Sequence, residues 1–264
     1  MSQTTRFLLL LIGVSLLGGS CKVDSIGDPI IVPLIDQEFV LDLWENLQAT
    51  TTSPLEIKMA TITNENCLNA GILSTYERNN RNLKLTLFEI LDPEVCDPGQ
   101  APAVGQEAIY DVNSGIYQLD VELQGVVVNP GTLTITSSSY KVEMQEENGT
   151  RWLHYELYRV PNAALWGYVT YSNAFQEQQC TDFINDIAAV SDPIQLPDGY
   201  YGHFTVADGG ELTVNKMPNQ PGIRPFIYSY WGPKATIDNL VADFEATATT
   251  GMELVLLDQQ GNEW

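Results

Sequence analysis

Hydrophobic residues fall on alternate positions through much of residues 37–160. Phe39, Leu41 and Leu43 share one phase, and Leu55, Ile57 and Met59 share another. Leu83, Leu85 and Leu87 repeat the pattern. So do Leu119, Val121 and Leu123, set between the polar residues Gln118, Asp120, Glu122 and Gln124. A period of two means strands with one buried face, because successive side chains of an extended chain point to opposite sides. Turn chemistry separates the runs: Asp92-Pro93, Asp97-Pro98-Gly99, Asn113-Ser114-Gly115, Asn129-Pro130-Gly131 and Asn148-Gly149. Six or seven short strands with such turns predict a β-sandwich over residues 37–161. Asn148-Gly149 reads as a hairpin turn leading into a strand near Leu153, Tyr155 and Leu157.

The period changes after Val160-Pro161-Asn162, which places a domain boundary there and a second domain over residues 162–264. Leu165 to Tyr171 is an apolar, aromatic strand. Ala174 to Val190 is a helix with Phe175, Cys180, Phe183, Ile184 and Ile187 on one face. Tyr200 to Val206 and Phe226 to Trp231 are strands, and Glu211 to Asn215 adds a short edge strand. Thr236 caps a second helix whose Ile237, Leu240, Val241 and Phe244 recur at helical spacing. Met252 to Leu257 is the last strand. The order β-α-β-β-α-β is that of the ferredoxin-like split βαβ arrangement. Its first and third strands are central, and here they are the most aromatic. Alternation then puts aromatics on both faces of the sheet, one of which lacks helices. Trp166, Tyr168, Tyr228 and Tyr230 are therefore candidate binding residues for a protein surface or a sugar. The competing reading packs them against the first domain.

Asp111-Val112-Asn113-Ser114-Gly115-Ile116-Tyr117-Gln118-Leu119 resembles the corner before the F strand of immunoglobulin-like domains. The resemblance implies that the Tyr117 hydroxyl bonds back to the loop it has just left. It also implies an immunoglobulin-like form for the sandwich. The expected fold is therefore α+β multidomain: an N-terminal immunoglobulin-like sandwich and a C-terminal ferredoxin-like domain.

The N-terminus carries a different message. Arg6 precedes an apolar run from Phe7 to Leu17, and the small residues Gly18, Gly19 and Ser20 lead into Cys21. A positive start, a short apolar core and small residues at a cut site make a secretory signal over residues 1–20. The run is too short for a bilayer, which needs about 20 apolar residues. This end resembles a bacterial lipoprotein signal in which Cys21 is lipidated and becomes the first mature residue. The relaxed pattern, with Lys22 directly after the cysteine, is similar to that of Bacteroidota. The resemblance implies export and a lipid anchor in the outer membrane, on the periplasmic or cell-surface side. Residues 21–36 then read as a lipidated tether.

Composition and charge narrow the function. The formal charge is −22, and removing residues 1–20 takes away Arg6 and no acid, leaving −23. Such a surface repels nucleic acid. In an oxidising compartment Cys67 and Cys96, in loops on either side of a strand, form a disulfide. Cys180 is left as a small buried apolar residue. His154 and His203 are the only histidines, and they fall in different predicted domains. No zinc-protease helix, nucleophile elbow or phosphate-cradling loop is present, so no cofactor, metal or catalytic residue is expected. Carboxylate pairs leave a hydrolase as the alternative, because a glycosidase needs no histidine. The expected function is a non-catalytic binding or accessory role at the cell envelope. The expected partner is a protein or, failing that, a glycan, with the membrane reached through the lipid on Cys21. Substituting Cys21→Ala is expected to leave both predicted domains folded and release the protein from membranes. Cell fractionation checks this, and a variant still found with membranes refutes it.

Overall fold

The computed structural model describes residues 38–48 and 55–264. The expected signal, Cys21 and the tether lie outside the described residues. The described residues form one compact unit. Its first ten strands are β1 (Phe39–Glu45), β2 (Leu55–Cys67), β3 (Gly71–Asn79), β4 (Asn82–Leu91), β5 (Pro98–Ala108), β6 (Gly115–Leu123), β7 (Val127–Ile135), β8 (Ser139–Met144), β9 (Thr150–Trp152) and β10 (Glu156–Tyr158).

These strands build one mixed sheet in the order β10-β8-β7-β6-β4-β3-β5-β2-β1-β9. This corrects the expectation of an immunoglobulin-like sandwich. A sandwich has two facing sheets, whereas here hydrogen bonding is continuous across all ten strands. Parallel pairing of β4 with β6 and of β1 with β9 keeps the order unbroken. Asn148-Gly149 is corrected too. It does not turn β8 back on itself but leads to β9 at the far edge, beside β1.

That crossing dictates the shape. β9 and β10 lie at opposite ends of the sheet, yet only residues 153–155 separate them. Four residue steps span at most about 14 Å. The two edges must therefore approach one another, and the sheet curls. Register shifts in β2 and β3 bend it further. The concave face encloses one core in which Leu41, Leu43, Leu55, Ile57, Leu85, Leu119, Val121 and Leu133 are fully buried. Each such side chain contributes roughly 1.5–3 kcal/mol relative to exposure. The alternation therefore identified the buried face of β1, β2, β4 and β6, whereas Leu153 and Tyr155, read as part of a strand, are exposed in the connection between β9 and β10. It did not say which strand pairs with which.

Two local expectations hold inside this different fold. Cys67 and Cys96 are disulfide-bonded, tying the end of β2 to the segment before β5. The Tyr117 hydroxyl donates to the Asn113 carbonyl at 3.0 Å and accepts from the Asn113 N–H at 2.9 Å.

The remaining elements are β11 (Ala164–Thr170), α1 (Ala174–Val190), β12 (Asp192–Pro193), β13 (Gly199–Tyr200), β14 (Phe204–Ala207), β15 (Glu211–Val214), β16 (Ile223–Ser229), α2 (Lys234–Thr247) and β17 (Leu254–Asp258). A four-stranded antiparallel sheet runs β12-β16-β11-β17, and β13-β14-β15 form a separate three-stranded sheet. The ferredoxin-like expectation is therefore corrected: residues 200–206 do not join the first sheet, and two-residue β12 holds the place beside β16. The reason is burial. An extra edge strand would leave the helix-free face, with Trp166 and Tyr168, open to water. Layered over that face instead, Tyr201, Phe204, Val206, Leu212 and Val214 are buried with them.

The helices cover the other face. Cys180, Phe183 and Ile187 of α1 meet Ile237, Val241 and Phe244 of α2 over Leu165, Val169, Phe226 and Leu256. Asn173 caps α1, its side chain accepting from the N–H groups of Phe175 and Gln176. Phe175 is solvent-exposed rather than on the packed face. Gln176 is buried in its stead and bonds Ser172 and the Thr250 carbonyl. Thr236 is not a cap, since α2 begins at Lys234 after Pro233. Among the described residues no helix is long and apolar enough to cross a membrane.

Substituting Tyr117→Phe removes the hydroxyl and leaves the Asn113 backbone groups short of a partner. A loss of about 1–2 kcal/mol is expected. Urea unfolding reads it, and a change below roughly 0.5 kcal/mol would mean that water replaces the bond fully.

Candidate functional site

The two halves of the chain meet at β1, and alternation along this strand sorts its side chains. Phe39, Leu41, Leu43 and Glu45 take the buried phase, and Val40, Asp42 and Trp44 take the other. Glu45 is thus an acid at a core position, 4% exposed. Its carboxylate accepts from the Tyr140 hydroxyl at 3.2 Å, from Arg159 Nε at 3.2 Å and from the Val160 N–H at 2.9 Å. The Arg159 guanidinium also lies over the Tyr140 ring, 5.0 Å from its centroid. Burial, with the Glu45 carboxylate beside it, holds the Tyr140 phenol well above its usual range. Leaving such a carboxylate without partners costs several kcal/mol, so the three donors are a condition of folding.

The opposite phase makes a second cluster. Asp42 accepts from His154 Nδ1 at 3.1 Å and from the Tyr200 hydroxyl at 2.9 Å. The His154 and Tyr200 rings stack at 3.6 Å. Burial raises the Asp42 carboxyl above the ordinary aspartate value, and the His154 and Tyr200 contacts offset only part of this. Burial and the Asp42 charge raise the Tyr200 phenol. Trp44 has the Lys58 ammonium over one face, 3.1 Å from its centroid, and the His203 ring at 4.4 Å. His203 Nε2 donates to the Glu45 carbonyl at 2.8 Å, and burial pushes its imidazole below the usual value. Both histidines, 49 positions apart, therefore converge on one strand.

Two concavities flank this seam. A cleft of about 620 Å³ is lined by Glu45, Asn46, Ser137, Ser138, Tyr158, Arg159, Asn162, Leu196, Tyr201 and their neighbours. Gly199, at φ +153°, lies against the Tyr158 ring where any Cβ would collide, so only glycine lets this wall close. A shallower, mostly apolar groove of about 470 Å³ runs over Val40, Ala60, Val104 and Leu153, with Asp42 and Lys58 at its margin. Among the described residues each concavity contains one carboxylate, Glu45 or Asp42.

The sequence-predicted residues are placed as follows. Cys21 lies outside the described residues. Cys67 and Cys96 are bonded to each other, away from the seam's lining. Trp166 and Tyr168 are buried under the three-stranded sheet, within the core shared with Tyr201 and Phe204. Tyr228 and Tyr230 are half-buried on the helix side of the other sheet. The four aromatics therefore do not gather on one surface. Among the described residues no group of three or more His, Cys, Asp or Glu is arranged to hold a metal ion. Sequence reasoning missed Asp42, Trp44, Glu45, Arg159 and Tyr200. Glu45 carried a signal nonetheless, because an acid in phase with Phe39, Leu41 and Leu43 is a charge addressed to the core.

No family model matches the chain, and no curated protein or solved structure matches it.

The seam predicts a pH dependence. An unfolded His203 takes up a proton below about pH 6.5, and the folded one resists it, so stability falls as pH drops below that value. The fall ends once the folded imidazole is protonated. Asp42 acts in reverse: its folded carboxyl keeps a proton above the unfolded value near 3.8, so folding is favoured as pH falls toward that window. Urea unfolding at about pH 7.5 and pH 5.5 should show the wild type losing more stability than His203→Gln, which keeps a side-chain donor. Equal losses would refute this role for His203.

Proposed function

We propose that the protein is a lipid-anchored component of the cell envelope that binds another envelope component without transforming it. The observation that carries this reading is the state of the ionisable groups at the seam. Glu45, Asp42, His154 and His203 are all occupied by bonds of the fold: the Glu45 carboxylate with Arg159 and Val160 and Asp42 with His154 inside the first half, and Asp42 with Tyr200 and His203 with the Glu45 carbonyl across the seam. Catalysis needs a base or nucleophile directed at a substrate. The carboxylate alternative needs two acids facing one space, and among the described residues each concavity at the seam has one. What the seam does offer is shape, and a cleft of about 620 Å³ lies within the size range of ligand sites. The anchor rests on the resemblance at residues 1–28, which also supplies the compartment.

Ser137 sits exposed on the rim of the cleft, so Ser137→Trp is expected to block the cleft without disturbing the core. Immobilised wild type should retain envelope material that Ser137→Trp does not. That material should be recovered chemically unchanged. Equal retention by both proteins would sink the reading, and so would recovery of cleaved material.

A further inference from the structure

We infer that the cleft is a site for an acidic sugar, a small hydroxylated ring bearing one carboxylate that docks on Arg159. This rests on the binding reading above and names the ligand class. Arg159 is half-buried, and it is immobilised twice. Its Nε is bonded to the buried Glu45 carboxylate, and its plane is held over the Tyr140 ring. A guanidinium carries five N–H donors in a rigid fork, of which Nε supplies one. Among the described residues the four N–H groups on the terminal nitrogens have no protein partner. They belong to a side chain that lines the cleft. A fixed, unfilled pair of nitrogens is the shape that receives a carboxylate through two parallel hydrogen bonds.

The charge of the site narrows the ligand. Among the described residues Arg159 is the cleft's one cation and Glu45 its one acid, so the pair is neutral overall. The protein as a whole carries −22. A phosphate or polyanion would meet repulsion from the surface and find no second cation. A single carboxylate gains the two-pronged bond and carries little charge to be repelled. Beyond the guanidinium, Ser137 and Asn162 make no side-chain hydrogen bond to a described residue, and each can give and accept one. Tyr158 and Leu196 add an aromatic and an aliphatic wall. Hydroxyl-matching groups beside an aromatic face fit a sugar ring better than a plain fatty acid, which would leave those polar groups unpaired.

The test titrates the full chain calorimetrically with D-glucuronate, D-galacturonate and N-acetylneuraminate. D-glucose and hexanoate serve as the neutral-sugar and bare-carboxylate controls. At least one acidic sugar should bind, and both controls should bind about tenfold more weakly or worse. Arg159→Gln should lose that binding by about tenfold or more. Because Arg159→Gln leaves Glu45 without its partner, the double variant Glu45→Gln/Arg159→Gln is measured beside it. Ser137→Trp, which leaves the core untouched, should abolish binding with an unchanged melting temperature. The inference is overturned if no acidic sugar binds more tightly than about 10 mM. It is overturned equally if hexanoate matches the sugars or if Arg159→Gln binds as well as wild type. If the acidic sugars fail while Ser137→Trp still loses envelope material, the ligand class falls and the binding reading stands. A sugar conjugate recovered hydrolysed would overturn both.

Discussion

A carboxylate buried at the end of β1 is the constraint on which the two halves of this protein depend. Glu45 cannot be left alone in the core, because the desolvation of an unpaired charge exceeds what the fold can absorb. Its three donors come from separate places: Tyr140 on β8, Arg159 just after β10, and the backbone of Val160 on the way to β11. Satisfying them fixes where the chain leaves the curled sheet. The carbonyl of the same residue accepts a hydrogen bond from His203 Nε2, so the strand that closes the first core also seats the C-terminal layers. A shift of β1 by one position would turn Glu45 outward and Trp44 inward, breaking both sets of bonds at once.

The same economy explains why the histidines make no independent site. His154 stacks on Tyr200 and bonds Asp42, and His203 packs on Trp44 and bonds backbone. Each joins a residue of one half to a residue of the other. Titratable groups at a seam add orientation to hydrophobic packing, which is itself non-directional. They also make the seam sensitive to acid, since a neutral buried imidazole must charge before the unfolded chain's advantage disappears.

Local features of the chain were legible, and their assembly was not. The Tyr117 corner forms as its residues imply, because that bond spans four positions and needs no partner strand. The span of α1 follows from period alone, but those of the long strands do not: Asn129-Pro130-Gly131, read as a turn, lies inside β7, and Pro98-Gly99, also read as a turn, opens β5. The curled sheet does not, since β9 has three residues and β12 and β13 have two each, too few to show any period. Yet β9 is the element that sends the chain from one edge of the sheet to the other. Residues 200–206 read as one strand, but the chain turns at Gly202, where φ is +77°, and folds them into the β13-β14 hairpin; their layer was decided by a demand from elsewhere, the burial of Trp166 and Tyr168. Of the seam, Glu45 was overlooked in the sequence, although its phase with Phe39, Leu41 and Leu43 marked it as a charge addressed to the core. Arg159 and Tyr200 become meaningful only once β1 lies beside them.

The acidity of the chain and the fixed guanidinium act at different ranges, and this difference shapes what the cleft can hold. At physiological ionic strength the Debye length is about 8 Å, so the diffuse negative surface is felt mainly on approach. It slows every anion and slows multiply charged ones most. Inside the cleft screening is weaker, and contact hydrogen bonds at about 2.8 Å decide the outcome. Glu45 cancels the charge of Arg159 but leaves its outer donors in place. Recognition there is consequently directional, set by the geometry of N–H groups rather than by net attraction. On the proposed reading the cleft would select by fit at short range while the acidic surface excludes by charge at long range, and Glu45 keeps the two apart by cancelling the charge of Arg159 without occupying its outer donors.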